Sequence, residues 1–503
     1  MSTQSTPKSD RLLTLAPTGV EGLDNVLGGG LTRERVYLVE GVPGSGKTTL
    51  AVQILRAGAA RGERVLYVTL SETEEEIRQV AESHGWTLDG VSIRELVPSE
   101  ESLRSDDQYT MFHPSEVELG ETIKTVLAEV EKTKPAIVVF DSLSEFRLLA
   151  GSALRYRRQI LALKKFFVGR GCTVILLDDS SVADLHDLQV QSMVHGVLRL
   201  EHLYPEYGSE RRRLAVLKYR GAQFRGGYHD YRIVKGGLEV YPRLVSSEHR
   251  HPPTGDKLSS GIGPLDRLLG GGVERGTSTL IVGAAGTGKS SVAAQFVAAA
   301  AKRGQSASMF LFDESLNTLL SRCEGLKIDL KPALDKGLVS IQQVDPAELT
   351  PGEFAHALRQ SVDQRDASIV VIDSLNGYLN AMPGERHLII QMHELLTYLG
   401  QAGVATILIG AHQGLIGQNM SSPVDASYLA DSVILMRYFE AMGEVRQAIS
   451  VVKKRGGAHE RTIREFRFIE GGMSVGEPLR EFRGVLTGVP VFEGAGDAFK
   501  SER

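Results

Sequence analysis

Two glycine-rich segments have the residue types and the spacing needed to bind phosphate. "GVPGSGKTT" at 41–49 and "GAAGTGKSS" at 283–291 both fit the pattern G-x-x-x-x-G-K-[ST]. Glycines let successive backbone N–H groups face phosphate oxygens, the lysine reaches the terminal phosphates, and the next hydroxyl binds Mg²⁺. Because a strand-like segment precedes each loop and a helix-like segment follows it, we predict that each half binds a nucleoside triphosphate. The predicted nucleotide-binding residues are Gly41, Gly44, Ser45, Gly46, Lys47, Thr48 and Thr49, with Gly283, Gly286, Thr287, Gly288, Lys289, Ser290 and Ser291 in the second half.

An aspartate further along the chain accompanies each loop. Asp141 and Asp373 each end a buried-looking aliphatic segment, and each is followed by serine. If a sheet brings these strand ends beside the loops, each carboxylate would help to hold Mg²⁺. The alternative is that each aspartate only caps the turn after its strand. We predict metal ligands at Thr48 and Asp141 in the first half and at Ser290 and Asp373 in the second.

Carboxylates also follow the strand after each loop helix. Glu72 and Glu314 lie equally far along the chain from the two loop lysines, and Asp313 stands beside Glu314 where the first half has Ser71. A carboxylate here could orient or deprotonate the water that attacks a γ-phosphate. The alternative is the start of a solvated acidic helix, since acidic residues favour a first helical turn. We predict that Glu72, Asp313 and Glu314 are catalytic.

A basic pair recurs late in each half. Lys218 and Arg220 precede a glycine, as do Lys453 and Arg455. At a spacing of two within a strand, both side chains project from one face and could approach a phosphate together. The alternative is an exposed polar face of a sheet. Because these strands lie far along the chain from their own loops, we predict that each pair contacts the nucleotide of a neighbouring subunit.

The second half of the chain repeats the first. "TGVEGLDNVLGGGL" at 18–31 matches "SGIGPLDRLLGGGV" at 260–273, which indicates an internal duplication. In each half, aliphatic strands alternate with amphipathic helices, and more strands follow. This pattern predicts an α/β fold, in which a mostly parallel sheet is flanked by helices and has a β-rich C-terminal part. The predicted boundaries are a disordered tail at 1–11, a domain at 12–245, a linker at 246–256, a second domain at 257–486 and a flexible tail at 487–503.

Composition and charge narrow the classes of protein. The 503 residues carry a net charge of −5, which argues against a protein built to coat nucleic acid or an anionic membrane. No apolar run approaches the roughly 20 residues of a membrane span, so we expect a soluble, cytoplasmic protein. Cys172 and Cys323 fall in different halves, which predicts unpaired thiols. His393, His412 and His459 lack a metal-binding spacing and are interpreted as ordinary core or surface residues.

With these motifs together, the sequence resembles the circadian clock protein KaiC family of RecA-like ATPases. The resemblance covers about residues 12–486 and is most specific in the run at 427–466, which begins "SYLADSVILMRYFE". It implies two tandem RecA-like P-loop domains and a double-ring homohexamer, with ATP and Mg²⁺ at every subunit boundary. It also implies slow ATP hydrolysis in the N-terminal ring. In the C-terminal ring it implies a serine/threonine autokinase that later removes the phosphate.

The resemblance implies phosphoacceptors at two adjacent positions. These fall on Ser427, which keeps the family's serine, and on Tyr428, which replaces threonine. A phenol is longer than an aliphatic hydroxyl, so the in-line geometry of transfer changes at Tyr428. Ser422 offers a further nearby hydroxyl, and Arg386 resembles an arginine that the family places near the acceptors. The chain beyond Arg483 is short for this family, so we expect a phosphorylation switch or timer read by KaiB-like or signalling partners.

Two alternatives remain open at this point. The first is an ATP-gated scaffold without kinase activity, whose output is carried by partners. The second is a RecA-like recombinase or helicase, which would need a basic channel and usually an added nucleic-acid domain. The nearly balanced charge and the two-unit length do not support the second alternative, and no nucleic-acid or membrane partner is expected.

Overall fold

The chain folds into two compact units, Met1–Arg243 and Leu244–Arg503. The structure is a computed structural model that describes residues 14–96, 114–179, 187–206, 208–245, 255–345, 347–380, 388–411, 427–441, 443–487 and 491–492, with the backbone alone at 114–122, 187–189 and 380. Within these ranges, no helix has the length and apolar character needed to cross a membrane.

The first unit alternates strands with helices and ends in antiparallel strands. Its strands are β1 (Leu15–Ala16), β2 (Leu31–Thr32), β3 (Val36–Gly41), β4 (Val65–Thr69), β5 (Val91–Glu95), β6 (Ile137–Asp141), β7 (Thr173–Asp179), β8 (Gly196–Leu203), β9 (Arg211–Tyr219), β10 (Tyr228–Val234) and β11 (Gly237–Tyr241). Its helices are α1 (Glu21–Val26), α2 (Lys47–Ala60), α3 (Glu74–Ser83), α4 (Pro114–Thr133), α5 (Leu143–Ala150), α6 (Ala153–Val168) and α7 (Asp187–Met193).

The main sheet of this unit has the order β11-β10-β9-β8-β3-β7-β6-β4-β5 across its described strands. The six strands from β8 to β5 in that order run parallel, whereas β9, β10 and β11 are antiparallel. In register, Gly41 pairs with Asp179 and Thr69 pairs with Asp141. The carboxyl ends of four neighbouring strands therefore meet at one edge, directly before helix α2.

Burial on both faces of the sheet explains the continuous aliphatic sequence of its parallel strands. In β3, Tyr37 and Val39 pack into a core cluster with Leu50 of α2. Val36 and Leu38 point to the other face and pack into a cluster formed with α4, α5 and α6. Side chains alternate between faces along a strand, so a strand covered by helices on both sides has no solvent-facing positions for polar residues.

The second unit has the same succession of strands and helices, with some additional short elements. Its strands are β12 (Lys257–Leu258), β13 (Val273–Glu274), β14 (Ser278–Gly283), β15 (Ser306–Leu311), β16 (Val339–Gln343), β17 (Ala367–Asp373), β18 (Ala405–Ala411), β19 (Ser432–Ala441), β20 (Glu444–Lys454), β21 (Ile463–Ile469), β22 (Gly472–Pro478), β23 (Phe482–Arg483) and β24 (Val491–Phe492). Its helices are α8 (Gly263–Leu268), α9 (Lys289–Lys302), α10 (Leu316–Gly325), α11 (Lys331–Asp335), α12 (Pro351–Asp363), α13 (Leu375–Asn380), α14 (Leu388–Gln401) and a 3₁₀ turn at Val485–Thr487.

The second sheet has the same strand order as the first. It runs β16-β15-β17-β18-β14-β19-β20-β21-β22 among the described strands, with β20 to β22 antiparallel. Gly283 pairs with Ala411, and Leu311 pairs with Asp373, so the second unit assembles the same edge. The predicted α/β class is confirmed, including the β-rich C-terminal part of each unit.

The acidic helix that was the alternative interpretation of Glu72 begins two residues later. It starts at Glu74, because Thr73 caps it. The Thr73 hydroxyl accepts a hydrogen bond from the Glu76 N–H, and the Glu76 carboxylate accepts one from the Thr73 N–H, which is a capping box. Glu72 is therefore outside the helix, in the loop that leaves the carboxyl edge of the sheet.

The predicted flexible tail contains a short paired strand. Strand β24 pairs antiparallel with β23, and the Phe482 and Phe492 rings lie 5.3 Å apart. Most of the predicted linker at 246–256 lies outside the described residues.

Candidate nucleotide sites

The two glycine-rich loops have the backbone geometry that their sequence predicts. Gly46 and Gly288 stand immediately before α2 and α9 with φ of 87° and 99°, in the left-handed region. A Cβ at Gly46 would lie 2.6 Å from the Ile233 side chain, and one at Gly288 would lie 2.8 Å from Phe466. Only glycine satisfies both constraints. Each loop therefore directs the N-terminus of a buried helix, with its partial positive charge, towards the carboxyl edge.

Lys47 is buried and already has several partners. Its Nζ donates to the carbonyls of Gly41, at 2.9 Å, and Val42, at 3.1 Å, and it lies 2.7 Å from Asp179 Oδ1. Asp179 stands at the end of β7, beside the loop. A phosphate bound here would take the ammonium away from these partners. Sequence reasoning missed Asp179, although its position at the end of a buried strand is the signal that identified Asp141.

The predicted metal pair of the first unit is in contact. Thr48 Oγ1 donates to Asp141 Oδ2 at 3.1 Å, and the Tyr67 hydroxyl donates to the same oxygen at 2.5 Å. Burial raises the pKa of Asp141, although its hydrogen bonds and the charge of Lys47 act in the opposite direction. The contact of Tyr67, a fully buried residue of β4, was not predicted, because a tyrosine inside an aliphatic strand is usually interpreted as a core residue.

The second unit repeats this pair with fewer partners. The Ser290 side chain acts to lower the pKa of the Asp373 carboxyl, against the larger effect of burial, and Lys289 Nζ donates to the Ala284 carbonyl at 2.8 Å. Asp373 Oδ2 is buried without a hydrogen-bond partner among the described residues. Burial raises the pKa of Asp373 to about 6 and lowers that of Lys289. A buried carboxylate oxygen without a partner, next to a hydroxyl, fits a hard divalent cation such as Mg²⁺, as the equivalent pair in the first unit also does.

Glu72 has the surroundings of a base. Its backbone is held by Thr69, whose hydroxyl donates to the Glu72 carbonyl at 2.6 Å and accepts from the Glu72 N–H at 3.0 Å. Its Oε2 is buried and has no hydrogen-bond partner among the residues that the structure describes. Burial raises the pKa of Glu72, and the negative charges of Asp141, Glu76 and Asp179 raise it further.

The two acids of the second unit have different partners. Asp313 accepts a hydrogen bond from the Ser374 hydroxyl, which follows the metal-pair aspartate. Glu314 accepts two hydrogen bonds from Arg322, one at 2.5 Å from Nη1 to Oε1 and one at 2.8 Å from Nη2 to Oε2. Arg322 lies on α10 and was not predicted, because sequence spacing does not say which helical position faces a loop residue. Glu72 and Glu314, which match in sequence, therefore differ in environment.

The basic pair of the first unit lies at the end of β9, with Lys218 inside the strand and Arg220 just beyond it, and both side chains bind backbone carbonyls. Lys218 Nζ donates to the carbonyls of Gln191, at 2.5 Å, and Ser192, at 3.2 Å. Arg220, which is exposed, donates to the same Ser192 carbonyl at 3.2 Å. Both side chains thus lie over the last turn of α7.

The equivalent pair of the second unit binds the segment that carries the predicted phosphoacceptors. Lys453 Nζ donates to the carbonyls of Ser427, at 2.7 Å, and Ala430, at 2.8 Å. Arg455 donates to the Tyr428 carbonyl at 3.1 Å. Ser427 and Tyr428 are both exposed. The structure therefore brings the predicted acceptors and the predicted phosphate-binding cations of this unit together on one surface.

Several predicted residues lie elsewhere. Ser422, Arg386 and His412 are outside the described residues. His393 is exposed on α14, and His459 is half-buried. Across the described residues, no group of three or more His, Cys, Asp and Glu side chains is arranged to hold a metal ion. The two cysteines are buried and unpaired.

Comparisons with known proteins agree with this duplicated arrangement. The sequence model of the KaiC ATPase family matches residues 16–245 and again residues 258–480. The circadian clock protein KaiC3 of Synechocystis sp. is 27% identical over 481 residues, which cover 94% of each chain. The circadian clock oscillator protein KaiC of Picosynechococcus sp. is 26% identical and covers 94% of this chain and 92% of its own, and that of Thermostichus vulcanus is 26% identical with 97% and 94% covered.

The family match coincides with both strand–loop–helix sites and with the antiparallel strands that carry the basic pairs. It implies that both units are nucleotide-binding, RecA-like modules, in agreement with the geometry of their loops. The chain belongs to the KaiC family of ATPases and carries two of the family's ATPase units in tandem.

Proposed function

We propose that the chain assembles as a hexameric double ring, hydrolyses Mg·ATP, and transfers phosphate to its own C-terminal unit as a switch or timer. The observation that carries this proposal is the repeated carboxyl edge. In each unit, a loop lysine, a hydroxyl–aspartate pair and a glutamate converge beside the N-terminus of one helix. These are the groups that phosphoryl transfer requires for positioning and charge neutralisation.

Each residue of the edge has a distinct task. Thr48 and Asp141, and Ser290 and Asp373, would hold Mg²⁺, which when bound neutralises charge on the phosphates. The loop N–H groups would bind the phosphate oxygens, and Lys47 or Lys289 would exchange its carbonyl partners for phosphate. This exchange costs little because one set of charge-assisted hydrogen bonds replaces another.

In hydrolysis, a water oxygen bonds to the γ-phosphorus while the bond to the bridging oxygen breaks and ADP leaves. The water proton passes to a carboxylate, which we assign to Glu72 in the first unit and to Glu314 or its neighbour Asp313 in the second. Burial and a carboxylate oxygen without a partner suit Glu72 to this step.

This assignment has a direct test in the full-length chain. We expect Glu72→Gln and Glu314→Gln each to lower turnover in its own unit by about 100-fold or more, the range for loss of a general base. Nucleotide should stay bound, because neither side chain contributes to the loop. ADP release and retained nucleotide are measured for each variant and for the double variant. Undiminished turnover in the double variant would remove both residues from the mechanism.

The basic pairs would complete the site of the adjoining subunit. Lys218, Arg220 and Lys453 donate to backbone carbonyls, and a neighbour's phosphates would be stronger partners for them. Arg455 donates to the Tyr428 carbonyl and also lies 3.4 Å from Asp431 Oδ1, so it would exchange a long ion pair for a phosphate. Ring closure then follows from a head-to-tail interface between identical subunits. Native mass spectrometry with Mg²⁺ and a non-hydrolysable ATP analogue should give hexamers, and a persistent monomer would reject this part of the proposal.

The assignment of Ser427 and Tyr428 as phosphoacceptors depends on the surface that they share with Lys453 and Arg455. Ser427 and Tyr428 are exposed on the segment bound by Lys453 and Arg455, so the pair that approaches a neighbour's phosphate would bring these hydroxyls with it. The relatives are named as circadian clock proteins, and this, together with these hydroxyls, supports a phosphorylation state read by other proteins. Incubation with Mg·ATP followed by phosphosite mapping should find phosphate on Ser427 first. Ser427→Ala should remove most of the mass gain.

A scaffold without kinase activity is the second candidate function. The tyrosine at position 428 favours the scaffold. Tyr428 is half exposed, and its phenol hydroxyl lies further from the backbone than an aliphatic hydroxyl would, which disturbs the in-line geometry that phosphate transfer needs. Continued hydrolysis without any mass gain would establish the scaffold. A many-fold stimulation of hydrolysis by single-stranded DNA would instead support a nucleic-acid-dependent ATPase, which the net charge of −5 does not favour.

A further inference from the structure

The two candidate nucleotide sites differ at an equivalent position of the helix that follows each glutamate. Glu72 and Glu314 each stand two residues before a helix of ten residues, α3 and α10. The seventh residue of α10 is Arg322, whereas the seventh residue of α3 is Val80. At this helical position the second site therefore has a cation next to its glutamate, whereas the first site has a valine.

Arg322 holds Glu314 through both carboxylate oxygens. The Nη1–Oε1 and Nη2–Oε2 distances of 2.5 and 2.8 Å describe a two-point, parallel hydrogen-bonded pair, with 33% of the arginine and 17% of the glutamate side chain exposed. Such a pair stabilises the charged carboxylate, fixes its orientation, and occupies a lone pair on each oxygen. Glu72 has no such partner among the described residues, and its Oε2 accepts no hydrogen bond there.

We propose that Arg322 is a positioning residue that restrains Glu314, so that hydrolysis of ATP through Glu314 in the C-terminal site is slowed but still depends on this glutamate. The inference rests on the proposed function and deepens it, because it separates a hydrolysing site from a phosphate-transferring site within one chain. A carboxylate that already accepts two charged hydrogen bonds must lose one before it accepts a proton from water. Among the described residues, no arginine forms an equivalent pair with Glu72, and its buried Oε2 accepts no hydrogen bond.

Transfer to a protein hydroxyl does not need Glu314 as its base. The hydroxyl oxygen bonds to the γ-phosphorus, the bond to the bridging oxygen breaks, and ADP leaves. The hydroxyl proton passes to Asp313, whose carboxylate already accepts a hydrogen bond from Ser374. Because the transition state of phosphoryl transfer is loose, it depends more on positioning than on a strong base. Arg322 thus slows the reaction with water more than the reaction with a positioned hydroxyl.

The test compares variants at residue 322 in a full-length chain whose first site is silenced by Glu72→Gln. We expect Arg322→Gln to raise kcat for ADP release by about 3- to 10-fold, a modest part of what a general base contributes. KM should stay the same, because Arg322 has no contact with the loop. Phosphate transferred to the protein per ADP formed should fall. Arg322→Lys keeps the charge but lacks the two-point geometry, so its kcat should lie between the other two.

A purely structural role would lower kcat or raise KM, so an increase in kcat alone distinguishes the proposal from damage. The gain should disappear in Arg322→Gln/Glu314→Gln, since the effect passes through Glu314. If turnover is low in the Glu72→Gln chain and rises with Arg322→Gln, the proposal stands. If turnover is unchanged or falls, the proposal is overturned, while phosphate on Ser427 would still support the proposed function.

The reciprocal change tests the same idea in the first unit. Val80→Arg, in a chain silenced at the second site by Glu314→Gln, places the guanidinium at the matching helical position beside Glu72. We expect ADP release to fall by about 3- to 10-fold. Val80→Gln is the matched control, similar in polarity but without charge, and should keep the parent rate. Equal rates for the arginine and glutamine variants would count against the proposal even if the second site were inactive throughout.

Discussion

Lys47 forms an ion pair with Asp179 across the mouth of the first loop, with Nζ 2.7 Å from Oδ1. The lysine side chain is 9% exposed and the aspartate side chain 45%. The strand register places Ala411 at the matching position of the second unit, beside Gly283. The loop lysine therefore has a competing carboxylate in the first unit, and Lys289 has none at that position.

Replacing Asp179, which competes with phosphate for Lys47, should tighten nucleotide binding at the first site. In Asp179→Asn, Lys47 reaches phosphate without giving up an ion pair, and one negative charge near the phosphates is lost. Because the pair is partly exposed, we expect the Kd for ADP to fall only about 2- to 5-fold. The measurement is a titration with a fluorescent ADP analogue in a Lys289→Ala chain. Ala411→Asp in a Lys47→Ala chain should weaken the second site. Weaker binding in Asp179→Asn would mean that Asp179 contributes to the site instead.

In the protein without nucleotide, the buried Asp373 should lower the free energy of unfolding above about pH 6. Burial raises the pKa of Asp373 from 3.8 to about 6, so the folded chain binds a proton that the unfolded chain has lost between these values. The free energy of unfolding therefore decreases as pH rises through this window, by roughly 3 kcal/mol in total. We expect Asp373→Asn to increase the free energy of unfolding by about 1–3 kcal/mol at pH 7.5. Urea unfolding without nucleotide should show that the gain vanishes near pH 4. An equal difference at both pH values would contradict this explanation.

As the pH is lowered, hydrolysis at the first site should begin to fall at a higher pH than it would if its base were a glutamate with an ordinary pKa. Burial raises the pKa of Glu72, and Asp141, Glu76 and Asp179 raise it further against the charge of Lys47. A base must be ionised, so kcat/KM falls as pH drops through this raised pKa. Glu76→Gln keeps a capping-box side chain but removes one charge, and it should move the acidic limb to lower pH. The profile is measured in a Glu314→Gln chain. An acidic limb that does not move would exclude Glu72 as the titrating group.

Sites shared between subunits should be restored by mixing two defective chains. Lys47→Ala loses its own loop cation, and Arg220→Ala loses the cation offered to a neighbour, so each alone should hydrolyse poorly at the first site. After random mixing, about a quarter of the boundaries combine an intact loop with an intact Arg220. We expect a corresponding fraction of wild-type turnover, measured in a Glu314→Gln background. No recovery would mean that Arg220 acts within its own subunit.

Much of each site could be predicted because its parts are local in sequence. A strand, a loop with glycines at obligatory left-handed positions, a lysine and a hydroxyl follow one another within a few residues around Lys47 and Lys289. Asp141 and Asp373 were identified because parallel strands end at one edge, so distant strand ends come together whatever their connections. The mostly parallel sheet followed from the alternation of strands and helices, and the duplication from the matching segments at 18–31 and 260–273, whereas the order of the strands was seen only in the structure.

Contacts between a helix and a loop residue could not be predicted in this way. Arg322 lies eight residues after Glu314, and its contact depends on how α10 turns as it leaves the sheet. The bond from Tyr67 to Asp141 likewise depends on which face of β4 meets the metal pair. Small differences of rotation decide these contacts, and hydrophobic periodicity does not encode them.

By itself the sequence determined two glycine-rich loops, two pairs of a hydroxyl and an aspartate, and the α/β architecture that carries them, because these depend on backbone conformations and burial patterns that few residue types satisfy. The sequence already distinguished the two sites at Ser71 and Asp313, and the tertiary structure showed two further differences that the sequence did not. Asp179 restrains the lysine of the first site, and Arg322 restrains the glutamate of the second. Side chains of opposite charge come within hydrogen-bonding distance only after packing has fixed the rotation of each helix and the register of each strand.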